Sequence, residues 1–324
     1  MKNWFARLFG SARGGAPTPQ DLPAQPAGPG AVAIPPRSED AAPDLDLAFY
    51  RWLAGPCSAA GVAGGALLID ELTRLAGQPE AAAGLVPRVP AVIPQLLRSL
   101  RDEASSAAGL ARQLSQDAVL VAEVIREVNS PYYRPATPVR NIEGALLLLG
   151  QNGLRMLLAR VAFRPVISMQ PGQLARQLAP TLWNQSEKCA LAASLLAPAH
   201  GADPFEAYLA GLMHNIGLVV ALRVADQALP GALPDDDGFA AALLGAARLL
   251  SSRIAAAWDL PPAVASAIAQ PDGGLLLAGA LAAGDRLAKL RLLADAAQPG
   301  FVRSAGALAP QERKVFDQLS ESED

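Results

Sequence analysis

The stretch Asp203-Pro204-Phe205-Glu206-Ala207-Tyr208-Leu209-Ala210-Gly211-Leu212-Met213-His214-Asn215-Ile216-Gly217 decides the fold class. Asp203 can accept hydrogen bonds from the open N–H groups of a helix start. Pro204 suits the first helical position, and Glu206 completes a capping box. Leu209, Leu212, Met213 and Ile216 then recur at the spacing of one helix face. The spacing predicts a helix that runs through Ile216, with the pair His214–Asn215 inside it.

The same period extends outward in both directions. Asp117–Val128 places Leu120, Val121, Val124, Ile125 and Val128 on one stripe, and Asn129–Ser130–Pro131 stops it. Leu45–Leu53 and Ala66–Leu75 read as helices. Val86–Pro94 is broken by prolines, Gln95–Leu100 opens a helix and Ala107–Leu114 forms a short one. Ile142–Leu149 should end at Gly150, with another helix from Gly153. Strand signals are scarce, and no Asn-Gly or Asp-Gly turn joins two alternating runs. The expected class is all-α, helix packed on helix.

Composition bounds the function. The chain has 324 residues, 51% hydrophobic and 18% charged, and its mean hydropathy is +0.23. A wholly disordered chain is excluded. The net charge of −3 supplies no cationic excess for a phosphate backbone, so nucleic acid is not an expected partner. Cys57 and Cys189 have no metal-type spacing and suggest a reducing compartment. His200 and His214 are the only imidazoles. The weakly polar stretches Ala54–Ile69 and Val264–Gly284 are interrupted and do not read as membrane spans. Residues 1–9 lack a secretory signal, so a cytoplasmic location is expected.

The ends differ from the body. Residues 10–43 are rich in Pro, Gly and Ala and read as a tether. Before them, Trp4, Phe5, Leu8 and Phe9 fall on one helical face beside Lys2 and Arg7. That pattern suits a membrane surface or a protein groove, while residue chemistry alone favours a frayed terminus or one docked on its own domain over the membrane. Ser320–Asp324 is acidic and expected to fray.

Searches for chemistry return little. There is no phosphate-binding G-x-x-x-x-G-K-[ST] loop and no G-x-S-x-G elbow. Gly61–Gly65 reads as small residues for helix packing. Asp235–Asp237 reads as a solvated loop, and His200 as the last turn of a helix. His214–Asn215 could be half of a metal site, but residue chemistry alone favours a hydrogen-bonded helix histidine.

Ordered motifs then identify a resemblance. Ile93–Leu97, Gln116–Leu120, Asn129–Tyr133, Ile142–Ala145 and Leu148–Gly150 resemble the first half of an HDOD domain. Leu182–Ser186, Gly211–Gly217, Trp258–Pro261 and Ala267–Ile268 resemble the second half. The resemblance implies an all-helical fold distantly related to HD-type metal phosphohydrolases, and a bacterial regulatory role. It divides the chain into an N-terminal peptide and linker (1–43), a helical pre-domain (44–85), the HDOD domain (86–293) and a C-terminal helix and tail (294–324).

The resemblance also marks where ligands of the HD pattern are missing. Its positions fall on Gln185, the pair His214–Asn215, Ala247, a site near Gln270–Pro271, and Asp285. His214 and Asp285 are the surviving ligand types, too few for a catalytic metal site. The expectation is no metal, no cofactor and no catalytic set, with Gln185, His214, Asn215, Ala247 and Asp285 as vestiges. A non-catalytic signalling protein follows, acting through protein–protein contact. From the resemblance, its partner is a signalling protein such as a sensor kinase or a cyclic-di-GMP enzyme. The alternatives are an HD-type phosphohydrolase acting on a nucleotide or cyclic dinucleotide, and a membrane-tethered adaptor held by Trp4, Phe5, Leu8 and Phe9.

Overall fold

A computed structural model describes residues 44–55, 62–78, 80, 84, 118–130, 135–168, 172–229, 233–271, 274–298 and 300–322. The chain divides into two units, Met1–Ala42 and Pro43–Asp324, and every described residue belongs to the second. The expectations for Trp4, Phe5, Leu8 and Phe9, the tether, Cys57 and the helices between Val86 and Leu114 lie outside the described residues.

The described residues are helical, with no strand. In chain order come α1 (Leu45–Ala54), α2 (Val62–Ala76), α3 (Ala118–Val128), α4 (Ile142–Ser168) and α5 (Gln173–Leu196). After a 3₁₀ turn (Ala197–His200) come α6 (Pro204–Met213), α7 (Ile216–Ala228), α8 (Asp237–Ala257), α9 (Pro262–Ala269) and α10 (Leu276–Asp295). The short α11 (Phe301–Gly306) and α12 (Pro310–Gln318) and a final 3₁₀ turn (Leu319–Ser322) close the chain.

α5 is the axis of the body, with α10 and α6 packed along it and α7, α4 and α1 also touching it. Its close neighbours require residues without side chains. A Cβ on Gly211 would lie 2.4 Å from the Cα of Ala190, so α6 approaches α5 backbone to backbone. Gly64 and Gly65 pack against Leu229 and Phe239, as the small-residue reading of that run expects. On α3, Val124 and Val128 are fully buried, as the stripe predicts.

Capping follows chemistry that is partly local. Asp203 accepts from the N–H of Glu206 at 2.8 Å and opens α6. The N-terminus of α5 has no local cap. Asp226 reaches over from α7 instead and accepts from Leu174 N and Ala175 N at 2.7 and 3.1 Å. Gly201 ends the 3₁₀ turn in the left-handed conformation, so His200 does sit in a last turn. Gly150, with φ of 69°, interrupts α4 where the sequence places a stop.

Four expectations need correction. The helix of Asp203 ends at Met213, and His214–Asn215 forms a turn before α7. The cause is Ser251 of α8, whose hydroxyl accepts from Gly217 N (2.8 Å) and lies 2.6 Å from the His214 carbonyl. Asp235–Asp237 is not simply a solvated loop. Asp236 caps α8 through Phe239 N at 2.7 Å, and Asp235 and Asp237 pair with Arg51 of α1. Ser320–Ser322 forms a 3₁₀ turn rather than fraying, and buried Lys188 donates to the Leu319 carbonyl at 2.6 Å.

The fourth concerns apolar length. Ile142–Ser168, Pro204–Ala228 and Asp237–Ala257 are long and apolar enough to cross a membrane, by length and composition alone. In Pro204–Ala228, 89% of the apolar window is buried inside the body, and the turn at His214–Asn215 divides it.

Candidate functional site

The turn at His214–Asn215 brings three helices to one place. Gly217 lies so close to α8 that a Cβ there would meet the Ala247 carbonyl at 1.9 Å. This approach lets Ser251 secure the turn and sets His214 and Asn215 toward α5 and α10. There the structure assembles the residues picked from the sequence. Gln185 Nε2 donates to Asp285 Oδ1 at 2.5 Å. Asn215 Nδ2 donates to Gln185 Oε1 and, at 3.1 Å, to Ser186 Oγ. Ala247 lines the same cavity from α8, and Pro271 lines it beyond α9.

His214 is oriented by the last turn of α6, which it follows. Nδ1 donates to the Gly211 carbonyl at 2.6 Å, because a carbonyl can only accept. Nε2 therefore faces Asp285 Oδ1 at 3.3 Å, within coulombic reach. It has no hydrogen-bond partner and is buried.

Two residues not picked from the sequence complete the cluster. Lys289, one turn beyond Asp285 on α10, donates to Asp285 Oδ2 at 2.6 Å and to Asp46 Oδ1 of α1 at 2.7 Å. Its side chain is only 9% exposed. Cys189, one turn beyond Gln185 on α5, is buried beside His214 and Asp285. The Asp285–Lys289 spacing of i and i+4 is visible in the sequence. Asp46 carries no such signal, since 243 positions separate it from Lys289.

The electrostatics are those of a closed ion pair. Burial pushes the Asp285 carboxyl up, but the Lys289 ammonium and neighbouring His214 outweigh it and hold it well below the usual carboxylate range. Burial alone would lower Lys289, yet Asp285 and Asp46 hold it above its ordinary value. Burial, reinforced by the Asp285 charge, pushes the Cys189 thiol well up.

A divalent cation is what the HD pattern implies for this place. Cys189, His214 and Asp285 each present a donor atom, all within 4.8 Å of one another. The set nevertheless does not fit such an ion. One oxygen of Asp285 is taken by the Lys289 ammonium and the other by the Gln185 amide. Burial pushes the Cys189 thiol up, away from the thiolate that ligates a metal. His214 Nε2 is then the one uncommitted donor of the three, where a metal site needs at least three.

A cavity of about 410 Å³ opens beside the cluster. Leu218, Leu244, Ile268 and Leu281 are among its apolar lining, and Arg248, Arg286, Lys289, Asp44, Asp46 and Asp285 are its charged lining.

Comparison with known proteins places this architecture. The family model for the HDOD domain matches residues 86–272, more than half of the chain. The chain belongs to the HDOD domain family. The match contains α3 to α9 and stops before α10, which carries Asp285 and Lys289. An uncharacterized protein of Treponema pallidum is 26% identical over 152 residues, 46% of this chain. The aligned part is 29% of that relative's length. An HDOD domain protein of unknown function from Geobacter sulfurreducens superposes with a TM-score of 0.56 at 24% identity, covering 78% of this chain and 95% of its own. A Shewanella amazonensis protein described as a proposed metal-dependent phosphohydrolase gives 0.56 at 18% identity, covering 81% of this chain and 100% of its own. A Marinobacter aquaeolei protein described as a proposed signal transduction protein gives 0.56 at 19%, covering 81% and 64%. At these identities the likeness concerns the fold.

Proposed function

We propose that this chain is a non-catalytic HDOD regulatory protein whose output is contact with another protein. The observation that carries the reading is the Lys289 ammonium bound to Asp285 Oδ2 at 2.6 Å. It puts a fixed positive charge where a phosphohydrolase needs an exchangeable cation. With Gln185 and Asn215 as neutral amides, no group at the site can activate water through a metal. A fold kept without a catalytic set has its output in binding. The Marinobacter relative's description as a proposed signal transduction protein supports the same direction. The partner class we favour is a bacterial signalling protein, a sensor kinase or a cyclic-di-GMP enzyme, met in the cytoplasm. Trp4, Phe5, Leu8 and Phe9 are proposed to supply a second contact, to a membrane surface or a protein groove.

The test uses the full chain supplied with Mn²⁺, Fe²⁺, Zn²⁺ or Mg²⁺. Metal content after gel filtration should be well below one ion per chain. Nucleotides, cyclic dinucleotides and a generic phosphodiester should remain uncleaved. Turnover that disappears in His214→Ala would overturn the proposal and establish the phosphohydrolase alternative.

A further inference from the structure

The cavity beside Lys289 is sized and lined like a ligand site, and its anion position is filled by the chain itself. Small-molecule sites occupy about 300–1,000 Å³, with apolar walls and a few convergent polar groups. This one holds about 410 Å³ and is lined by apolar and charged side chains together. Among the charged ones, Asp46 carries the exchangeable charge. Its carboxylate bridges two cations, meeting Lys289 Nζ at 2.7 Å and Arg248 at 3.9 Å. Its side chain is 42% exposed, whereas that of Lys289 is 9% exposed. The cation is therefore built into the body, and the anion comes from the first turn of a peripheral helix.

Pairing shows what the position would accept. Asp46 meets both Lys289 and Arg248, and Asp285 meets Lys289 as well. Arg286 is occupied by Glu312, and Asp44, a third carboxylate of the lining, caps α1 through Asp46 N and Leu47 N. If Asp46 turns out to water, Lys289 keeps Asp285, and Arg248 loses the Asp46 contact. A single carboxylate restores both contacts in the arrangement Asp46 already adopts. Leu218, Leu244, Ile268 and Leu281, which line the same cavity, then suit an apolar body attached to that carboxylate.

We propose that this cavity binds a small amphipathic carboxylate, an organic acid with an apolar body, and that Asp46 is its built-in competitor. α1 lies outside the residues matched by the HDOD family model, as α10 does. The buried part of α1, Phe49, Tyr50 and Leu53, holds the helix on the body while the tip exchanges. The Tyr50 hydroxyl donates to the Pro234 carbonyl at 2.6 Å and fixes the same end. Ligand entry thus needs only a side-chain swing of Asp46, not the loss of α1. The inference concerns a ligand and is independent of which protein partner the chain meets.

Calorimetric titration of the full chain with octanoate, octanol and octyl phosphate tests it. Octanoate should bind at least about tenfold more tightly than octanol, the ratio expected when a charge-assisted contact is lost. Asp46→Asn should tighten octanoate about fivefold, the scale of a half-exposed ion pair that no longer competes. Arg248→Gln should weaken octanoate by a similar factor. Both side chains are half-exposed, so both variants should keep the parent's circular dichroism. Equal binding of octanoate and octanol, or no binding of either, would overturn the site. Tighter binding of octyl phosphate would overturn the carboxylate class. An unchanged affinity in Asp46→Asn would overturn the competition.

Discussion

Replacing Lys289 with methionine keeps the length and apolar stem of the side chain and removes only its charge. What remains is Asp285, largely buried, its Oδ2 deprived of the contact at 2.6 Å. Breaking a buried pair from one side typically costs about 3–5 kcal/mol, because the surviving charge stays desolvated. Two features here favour the lower end, about 3 kcal/mol. Gln185 Nε2 still donates to Oδ1, and the Asp285 side chain keeps 21% exposure. The lost contact to Asp46 adds little, because that carboxylate is half-exposed and returns to water. At about 2–4 °C per kcal/mol for a body of this size, the melting temperature should fall by roughly 6–12 °C.

The pH dependence has a definite sign. In the parent, Asp285 is held below its unfolded value, so its contribution is fully present above about pH 4 and lost as pH falls through the folded value. In Lys289→Met the burial effect is unopposed by the ammonium, and the carboxyl moves above its unfolded value. Folding then takes up a proton, and the variant loses stability as pH rises from about 4. The gap between parent and variant should be widest near pH 7 and narrow toward pH 4. Urea denaturation at both pH values, with Asp285→Asn and the double variant, measures the effect and its coupling. A loss below about 1 kcal/mol at pH 7, or strictly additive single and double variants, would refute the ion-pair reasoning.

Other parts of the body give shorter tests. Arg160 pairs with Glu127 and Glu187, joining α3, α4 and α5, so Arg160→Met should cost roughly 3 kcal/mol in urea denaturation at pH 7. The loss should shrink as pH falls, because burial holds the Glu187 carboxyl above its ordinary value and it takes a proton first, and a pH-independent loss would count against the network. Gly217→Ala places a methyl group 1.9 Å from the Ala247 carbonyl and should cost about 3 kcal/mol or more, read as a lowered melting temperature. Lys188→Met should leave the Leu319 carbonyl short of a buried donor and speed amide exchange in Pro310–Leu319, while exchange in α6 stays as in the parent.

How far the sequence reaches depends on the range of the interaction. Asp203 and Glu206 announce the start of α6 because an N-cap is read within four residues. Gly150 announces a break in α4 for the same reason. The cap of α5 was invisible, since Asp226 lies 52 positions from Leu174. The turn at His214–Asn215 was also missed, because the apolar period continues through it to Ile216 and the device that breaks it, Ser251, sits on another helix. At the site, the order of motifs located Gln185, His214, Asn215 and Asp285, and folding brought these four together. Lys289 lies in helical register with Asp285, but spacing carries no information about burial, so the pair carries no signal of a site.

Lys289 also bears on why the body can dispense with a metal. Where the HD resemblance expects a histidine and an aspartate, this chain has Gln185 and Asn215, and Lys289 stands beside them on α10. Each of the three carries its own hydrogen-bond donors. Asn215 donates to Gln185, Gln185 donates to Asp285, and Lys289 donates to the other oxygen of Asp285. The carboxylate that would have met an ion is met by protein groups instead, so the buried charge is compensated without an external ligand. A half-replaced site would be worse than either extreme: His214 and Asp285 with neither metal nor lysine would leave an uncompensated carboxylate between α6 and α10. The ammonium also makes a regulatory use of the cavity intelligible. A catalytic cation must keep an exchangeable position facing its substrate, whereas Lys289 offers a permanent charge that an acidic group can meet and leave. Asp46 meets it in the structure, on a helix outside the family match, and the same charge is available to any carboxylate that displaces it.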